Sequence, residues 1–403
     1  MSLPRPRLFA ALLLLLLAAA AAFVYSKQRR FSAYIADRLG TQAEKTLGRK
    51  VKVGAISFSL LGDVLISDAC VSRRPDFSRG KFFCADKVIL RPRLADLLRD
   101  KVYFSEVTLE NPRIKIRKER GRWDFEDILR LLPDTSKGLH LTWNVADLYI
   151  RNAGVEADIP ETGASGSLER ANIRLSHYSA YGGNYNIAAD GRLKTVYGGK
   201  LLSAAFGLYA DANFDYGGLS SAKGTLKADE MVYGAVTLEK LLADWDLLNI
   251  RKPLAERKYT ASISAQNLLI PSSEGTARKR VAESLKLFSA AMGKPAPAVE
   301  DVEVRAISAG FSLDDSVLSL KDVLLRSNFI DLDASLSIYG SSAAANARLE
   351  AAVGDNRLAL SASGPLARPR IEPTLSDTLS ARLKSGLQAA EKFLLDIYPV
   401  TGR

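Results

Sequence analysis

The chain of 403 residues has only two cysteines and two histidines, and that scarcity removes whole classes of chemistry. Neither Cys70 nor Cys84 has a His or Cys at metal-ligand spacing, so no metal site is expected. His140 and His177 each lie in a strand-like segment without a partner motif, where a lone histidine is far more often structural than catalytic. There is no Gly-x-Ser-x-Gly, no phosphate-cradling glycine loop, no His-Glu-x-x-His and no calcium-loop pattern. The many Asp and Glu residues fall on alternating faces and at strand ends, where charge guards sheet edges. The expectation is a protein that is not an enzyme, with no catalytic residue and no cofactor.

Long apolar runs are also absent, with one exception. Residues 8–25 are uncharged and rich in Leu and Ala, between Arg5 and Arg7 on one side and Lys27, Arg29 and Arg30 on the other. As a helix this run is roughly 27 Å long at ~1.5 Å per residue, just enough to cross a hydrocarbon core. Two readings fit it: a retained anchor, or a secretory signal with its basic start and alanine-rich end. The run is longer than the usual signal core, and it continues into Phe31, Ile35, Leu39 and Ala43 at every fourth position. That pattern favours a transmembrane anchor over 1–26 and a juxtamembrane helix over 27–48, ended by Gly48. The flanking charges nearly balance, so they barely set orientation. A short N-terminal tail followed by a large exported body is the simplest arrangement.

The net charge is +11 and the pI about 9.5. No zinc-finger spacing, RNP-like run or helix-turn-helix signature accompanies it, so no nucleic-acid partner is expected. The charge then serves either an anionic lipid surface or the solubility of an edge-rich β protein. Cys70 and Cys84 enclose a stretch containing Pro75, Asp76 and Gly80. In an oxidising compartment such a pair would staple a hairpin or loop, worth roughly 3 kcal/mol. Two separate half-buried thiols are the other reading, and spacing does not choose between them.

From Val51 onward the chain reads as short strands with period-two alternation. Expected strands are Val51–Leu61, Val64–Ser72, Lys87–Arg91, Tyr103–Glu110, Ile114–Lys118, Leu139–Arg151, Asn172–Ser176 and Tyr185–Leu193. They continue through Leu201–Phe214, Gly224–Val232, Thr237–Leu247, Tyr259–Ile270, Val302–Leu313, Val317–Arg326, Ile330–Ile338, Ala347–Ala352 and Arg357–Ser363. Turn signals such as Gly198-Gly199 and Gly354-Asp355-Asn356 separate many of them. A helix is expected over 276–292, with Val281, Leu285, Phe288 and Met292 on one stripe beside Arg278, Lys279, Arg280 and Lys286. An amphipathic helix is expected over 373–403, opened by Thr374-Leu375-Ser376-Asp377 and striped by Leu379, Leu383, Leu387, Ala390, Leu394 and Ile397.

The stretch Leu47–Leu132 carries an ordered set of phrases. These are Val51-Lys-Val-Gly-Ala-Ile-Ser-Phe-Ser-Leu-Leu-Gly, Val64-Leu-Ile-Ser-Asp-Ala, Ala85-Asp-Lys-Val-Ile-Leu, Leu94-Ala-Asp-Leu-Leu, Val107-Thr-Leu-Glu-Asn-Pro-Arg-Ile-Lys-Ile and Gly121-Arg-Trp-Asp-Phe. In order and spacing they resemble the N-terminal region of the AsmA-like family. Gly364-Pro-Leu-Ala-Arg-Pro-Arg-Ile-Glu-Pro, directly after a strand, is similar to the terminal signature of AsmA and TamB relatives. The middle of the chain matches only in texture.

That resemblance implies a mainly β fold: a long curved antiparallel β-sheet forming an open β-groove, with an N-terminal transmembrane helix and a C-terminal amphipathic helix. It implies an N-terminal β region over 49–135 and a continuing groove over 136–372. It also implies a single-pass inner-membrane protein with its body in the periplasm, binding phospholipid or another acyl lipid and supporting phospholipid transport and outer-membrane homeostasis. An envelope protein partner follows from the alternative reading, an assembly factor or scaffold aiding outer-membrane protein biogenesis. Candidate groove-lining residues are Tyr185, Ile187, Phe311, Leu313, Leu332, Leu336 and Ile338. The ordinary core of a closed barrel or sandwich is the competing role for these side chains. On the groove reading, Leu336→Glu with Ile338→Glu is expected to leave the protein folded.

Overall fold

A computed structural model describes residues 47–59, 63–92, 104–129, 145–177, 183–215, 218–291, 300–340, 342–353 and 356–372. It also describes scattered helical residues within 40–45 and 380–392. The expected anchor over 1–26 and most of the helix over 27–48 lie outside the described residues, as do His140 and much of 373–403. Among the described residues no helix is long and apolar enough to cross a membrane.

The described residues are mainly β, with 70% of them in strand and few in helices. It divides into two compact units, residues 1–133 with 141–176, and residues 134–140 with 177–403.

In the first unit the strands are β1 (Val51–Lys52), β2 (Ile56–Phe58), β3 (Val64–Ser72), β4 (Lys81–Pro92), β5 (Phe104–Glu110), β6 (Arg113–Glu119), β7 (Arg122–Trp123), β8 (Val145–Ile159) and β9 (Ala164–His177). The expected strand from Val51 is interrupted at 53–55, where Gly54 N–H donates to Ser67 O and Ala55 O accepts from Ser67 N–H. β3 pairs antiparallel with β4, and Cys70 stands directly opposite Cys84, joined to it by a disulfide.

The expectation of a purely antiparallel sheet is corrected here. β8 runs parallel to both β5 and β6, so the sheet is mixed. The physical reason is the separation along the chain: 25 residues stand between β6 and β8, and parallel neighbours require a connection of at least a dozen. Within it lie β7 and a short helix, α1 (Glu126–Leu129).

Apolar partners form transverse rows through this unit. One runs Ile56, Ile66, Val88, Leu109, Ile150, Ile173 across successive strands. The next runs Phe58, Val64, Leu90, Val107, Leu148, Leu175. Between β5 and β6, Asn111 adopts positive φ beside Pro112, and Asn152 in β8 does the same. Asn152 Nδ2 donates to Asn111 Oδ1 at 2.7 Å, and Asn111 Nδ2 donates to Asp86 Oδ2 at 2.9 Å. Ala85, Ala153 and Ala171 are buried beside these kinks, and Pro112 is fully buried.

Among the described residues the second unit holds eleven strands, paired antiparallel. They are β10 (Gly183–Tyr197), β11 (Lys200–Asp215), β12 (Gly218–Tyr233), β13 (Val236–Leu248), β14 (Lys258–Ile270), β15 (Val302–Asp314), β16 (Val317–Ser327), β17 (Asp331–Tyr339), β18 (Ala344–Val353), β19 (Asn356–Pro365) and β20 (Arg370–Glu372). Each pairs with the next in sequence. Two-residue turns close several hairpins. Gly198-Gly199 and Asp315-Ser316 both have positive φ at each position, the twist that right-handed strands demand of so tight a loop. Helix α2 (Gly275–Ala291) joins β14 to β15, within one residue of the expected span, and Leu285 on its apolar stripe is buried. Glu274, just before α2, pairs with Lys200 at the start of β11. Among the described residues no pairing joins β20 back to β10, so hydrogen bonding does not close this sheet into a barrel.

Candidate functional site: an apolar face of the second unit

Strand register decides which side chains share a face, because directly opposed residues project to the same side. One row crosses the second unit as Tyr185, Ala212, Ala222, Leu247, Tyr259, Leu313, Leu318, Ile338, Ala345. The next row on this face runs Ile187, Ala210, Gly224, Trp245, Ala261, Phe311, Leu320, Leu336, Ala347, Ala362. A third runs Phe206, Ala228, Leu241, Ala265, Ile307, Leu325, Leu332, Ala351, Leu358. None of the three contains a charged residue, an amide or an aliphatic hydroxyl. All seven residues singled out in the sequence lie on them.

The opposite face carries a polar row. The row Asn186, Asp211, Lys223, Asp246, Thr260, Ser312, Ser319, Ser337, Asn346, Ser363 crosses the same ten strands without one apolar side chain. Its members bond to one another and to neighbours on that face. Asn186 Nδ2 donates to Tyr209 Oη at 2.9 Å, and Thr225 Oγ1 donates to Asp244 Oδ1 at 2.6 Å.

Strict alternation fails along several strands, and the backbone explains how the face stays apolar. Glu230 in β12, Asn267 in β14 and Asp322 in β16 have positive φ. At Glu230 and Asp322 the register shifts against a neighbouring strand, as a bulge requires, while at Asn267 both neighbours keep step; at all three the apolar spacing lengthens from two to three. The steps Ala228 to Met231, Ala265 to Leu268 and Leu320 to Val323 all span such a residue. Asp and Asn are the side chains best able to hold the left-handed conformation after glycine.

Burial along the face is uneven. At the β16–β19 end, Ile338 is 4% exposed and Leu366 0%, with Leu318, Leu336 and Leu387 packed against them. Leu387 belongs to the C-terminal segment, whose described residues there are helical. In the middle, Ile263 is 47% exposed and Phe311 37%, though both sit well inside their strands. Leu193 and Tyr233 are similarly exposed toward the far ends of β10 and β12. The seven candidates therefore divide. Leu313, Ile338 and Tyr185 are buried, Ile187, Leu332 and Leu336 are half-buried, and Phe311 is exposed. The expectation that carboxylates at Leu336 and Ile338 would be tolerated is corrected, because Leu366 and Leu387 cover that site.

At the β10 end, the His177 ring stacks on Tyr185 at 4.5 Å, and Phe214 meets Tyr185 edge-on at 5.3 Å. Burial holds the His177 imidazole below its usual range and pushes the Tyr185 phenol up. The cluster is thus neutral and apolar at neutral pH, like the rows it terminates.

Ile263, Trp245 and Leu241 were not singled out in the sequence, although the expected strands Thr237–Leu247 and Tyr259–Ile270 contain them. Among the described residues no group of His, Cys, Asp and Glu has the arrangement needed to hold a metal ion. No protein-family description matches the chain, and no characterised protein matches it in sequence.

Proposed function

We propose that the chain is an AsmA-like, membrane-anchored protein of the cell envelope that binds lipid acyl chains along the apolar face of its second unit and supports phospholipid transport. The observation that carries this reading is the set of three uninterrupted apolar rows with Ile263 and Phe311 left accessible at their centre. A solvent-facing surface of this extent is a liability unless something covers it. With adjacent strands ~4.8 Å apart, rows crossing ten strands extend about 43 Å along the sheet. Each methylene laid against such a surface gains ~0.8 kcal/mol over water, and a headgroup stays hydrated beyond the strand ends.

Three further features support the envelope setting. The apolar run at 8–25 is flanked by basic residues on both sides, as a single anchor requires. The Cys70–Cys84 disulfide fits an oxidising compartment. The phrases at 47–132 and 364–373 resemble AsmA-like sequences.

Mass spectrometry of lipid co-purifying with the full chain, extracted in mild detergent, tests the proposal. Stoichiometric phospholipid or fatty acid is the expected result. A lipid-free preparation that also fails to take up a fluorescent fatty acid would overturn it.

A further inference from the structure

The apolar face of the second unit is covered at one end, and its cover has two parts. At the β16–β19 end Ile338, Ala345 and Leu366 are buried together, with Leu318, Leu336 and Leu387 packed against them. Leu366 directly follows β19 and is pinned through its backbone, its N–H donating to Ala343 O at 2.9 Å. Leu387 comes from outside the sheet, on the C-terminal helical segment.

The described part of that helix is two-sided. Leu387 is half-buried against the sheet, while Lys384, Gln388 and Lys392 are exposed. Among the described residues no ion pair ties Lys384, Glu391 or Lys392 to the sheet. Gly386 precedes Leu387 in the sequence, and glycine is among the weakest helix formers. Such a helix keeps its shape in water chiefly through the apolar face that it docks.

An acyl chain can replace a cover of this kind. Burial of apolar surface is non-directional and roughly proportional to area, so a chain laid over Leu318, Leu336 and Ile338 gains what the helix gives up. The face from β10 to β15, which includes the accessible Ile263 and Phe311, spans about 24 Å at ~4.8 Å per strand. The strands from β16 to β19 extend it by about 19 Å.

We propose that the C-terminal helix is a displaceable cover: it occupies the β16–β19 end of the face in the lipid-free chain and yields that end to an acyl chain. The proposal rests on the reading of this face as an acyl-chain surface, and it adds a rule for its occupancy. A chain reaching past β15 must lift the helix, so lipid and docked helix exclude each other there. Displacement requires that the acyl chain bind the uncovered state more tightly than the covered one.

Two measurements on the full chain in digitonin, a detergent without an acyl chain, test this. In hydrogen–deuterium exchange of the wild type, palmitate should raise exchange over residues 380–392 and leave β17 and β18 protected. In titration with the fluorescent fatty acid cis-parinaric acid, Leu387→Asp should take up about 1.7-fold more probe than the wild type. That is the ratio of ten strands uncovered to six. Leu387 is only half-buried and lies outside the sheet, so the variant should keep its β signal. Should it not fold, the exchange measurement decides alone. Equal uptake by the two proteins, or exchange over 380–392 that palmitate leaves unchanged or lowers, would overturn the cover and leave the acyl-chain surface standing. No uptake by either protein would overturn both readings. Uptake by Leu387→Asp alone would support both, with the helix closing the face completely.

Discussion

The Trp245 indole lies against Gly224, its directly opposed partner on β12, in the space a side chain there would need. A Cβ built on Gly224 would sit 2.4 Å from Trp245 Cζ2 and 2.5 Å from the Tyr209 carbonyl oxygen. Gly224 is thus the residue that lets the bulkiest side chain of the apolar face lie down on the sheet. Gly224→Ala is expected to cost about 1–3 kcal/mol through overpacking and to shift Trp245 emission. Adding Trp245→Ala should recover only part of the loss, since the Tyr209 carbonyl does not move away. Full recovery in that double mutant would assign the whole clash to the indole.

The uneven burial of the apolar face gives opposite outcomes for two double substitutions. Ile263→Glu with Phe311→Glu places carboxylates where water already reaches, so the protein should fold, keep its β signal and lose co-purifying lipid. Leu336→Glu with Ile338→Glu places them beneath Leu366 and Leu387, where burying charge costs several kcal/mol and should prevent folding. Circular dichroism and lipid analysis of both variants separate the cases. A folded Ile263/Phe311 variant that retains its full lipid would remove the centre of the face from the binding surface.

Much of this face was legible because a half-solvated strand writes its two sides into alternate residues. Phe311 with Leu313, and Leu332 with Leu336 and Ile338, are such pairs, and register places them on shared rows with Ile187 and Tyr185. These left-handed positions were not legible, because Glu230, Asn267 and Asp322 look like ordinary polar residues until their backbone angles are known. Each delays the alternation by one, so fixed-period reading loses the face beyond it. The parallel pairing of β8 was hidden for another reason. Strand direction depends on how the chain connects β6 to β8, and no residue in β8 itself records it.

Arg49 anchors the crossover of the first unit to the strand core. It is buried, its guanidinium packs over the Phe82 ring at 4.3 Å, and it donates to Asp127 and to the Ser72 and Asp124 carbonyl oxygens. Asp127→Asn removes the matching charge and should cost roughly 3–5 kcal/mol, the usual penalty for stranding a buried partner. The hydrogen bond from Arg49, ahead of the Arg49 and Arg74 charges, holds the Asp127 carboxyl below its ordinary range. Its stabilising contribution is therefore complete above that range and lost as pH falls through the lowered value. Urea unfolding of wild type and Asp127→Asn should converge in acid and separate toward neutral pH. A constant gap between the two curves would show that the charge of Asp127 contributes nothing.

His177 adds to the same loss of stability in acid, by burial rather than by pairing. Burial against Tyr185 disfavours the imidazolium, so the folded chain gives up its proton more readily than the unfolded chain does. The unfolded state then binds more protons as pH drops through the usual value of 6.5, and stability declines across that interval. The decline should level off once the pH lies below the folded value, where both states are protonated. His177→Phe keeps an aromatic ring on Tyr185 without a titrating nitrogen, while His140 remains in both proteins. Thermal midpoints of wild type and His177→Phe should accordingly run parallel above neutrality and diverge on acidification, with the wild type falling further. Parallel curves throughout would mean that the His177–Tyr185 stack accommodates the charged ring, and that the aromatic end of the apolar face is wetter than its burial implies.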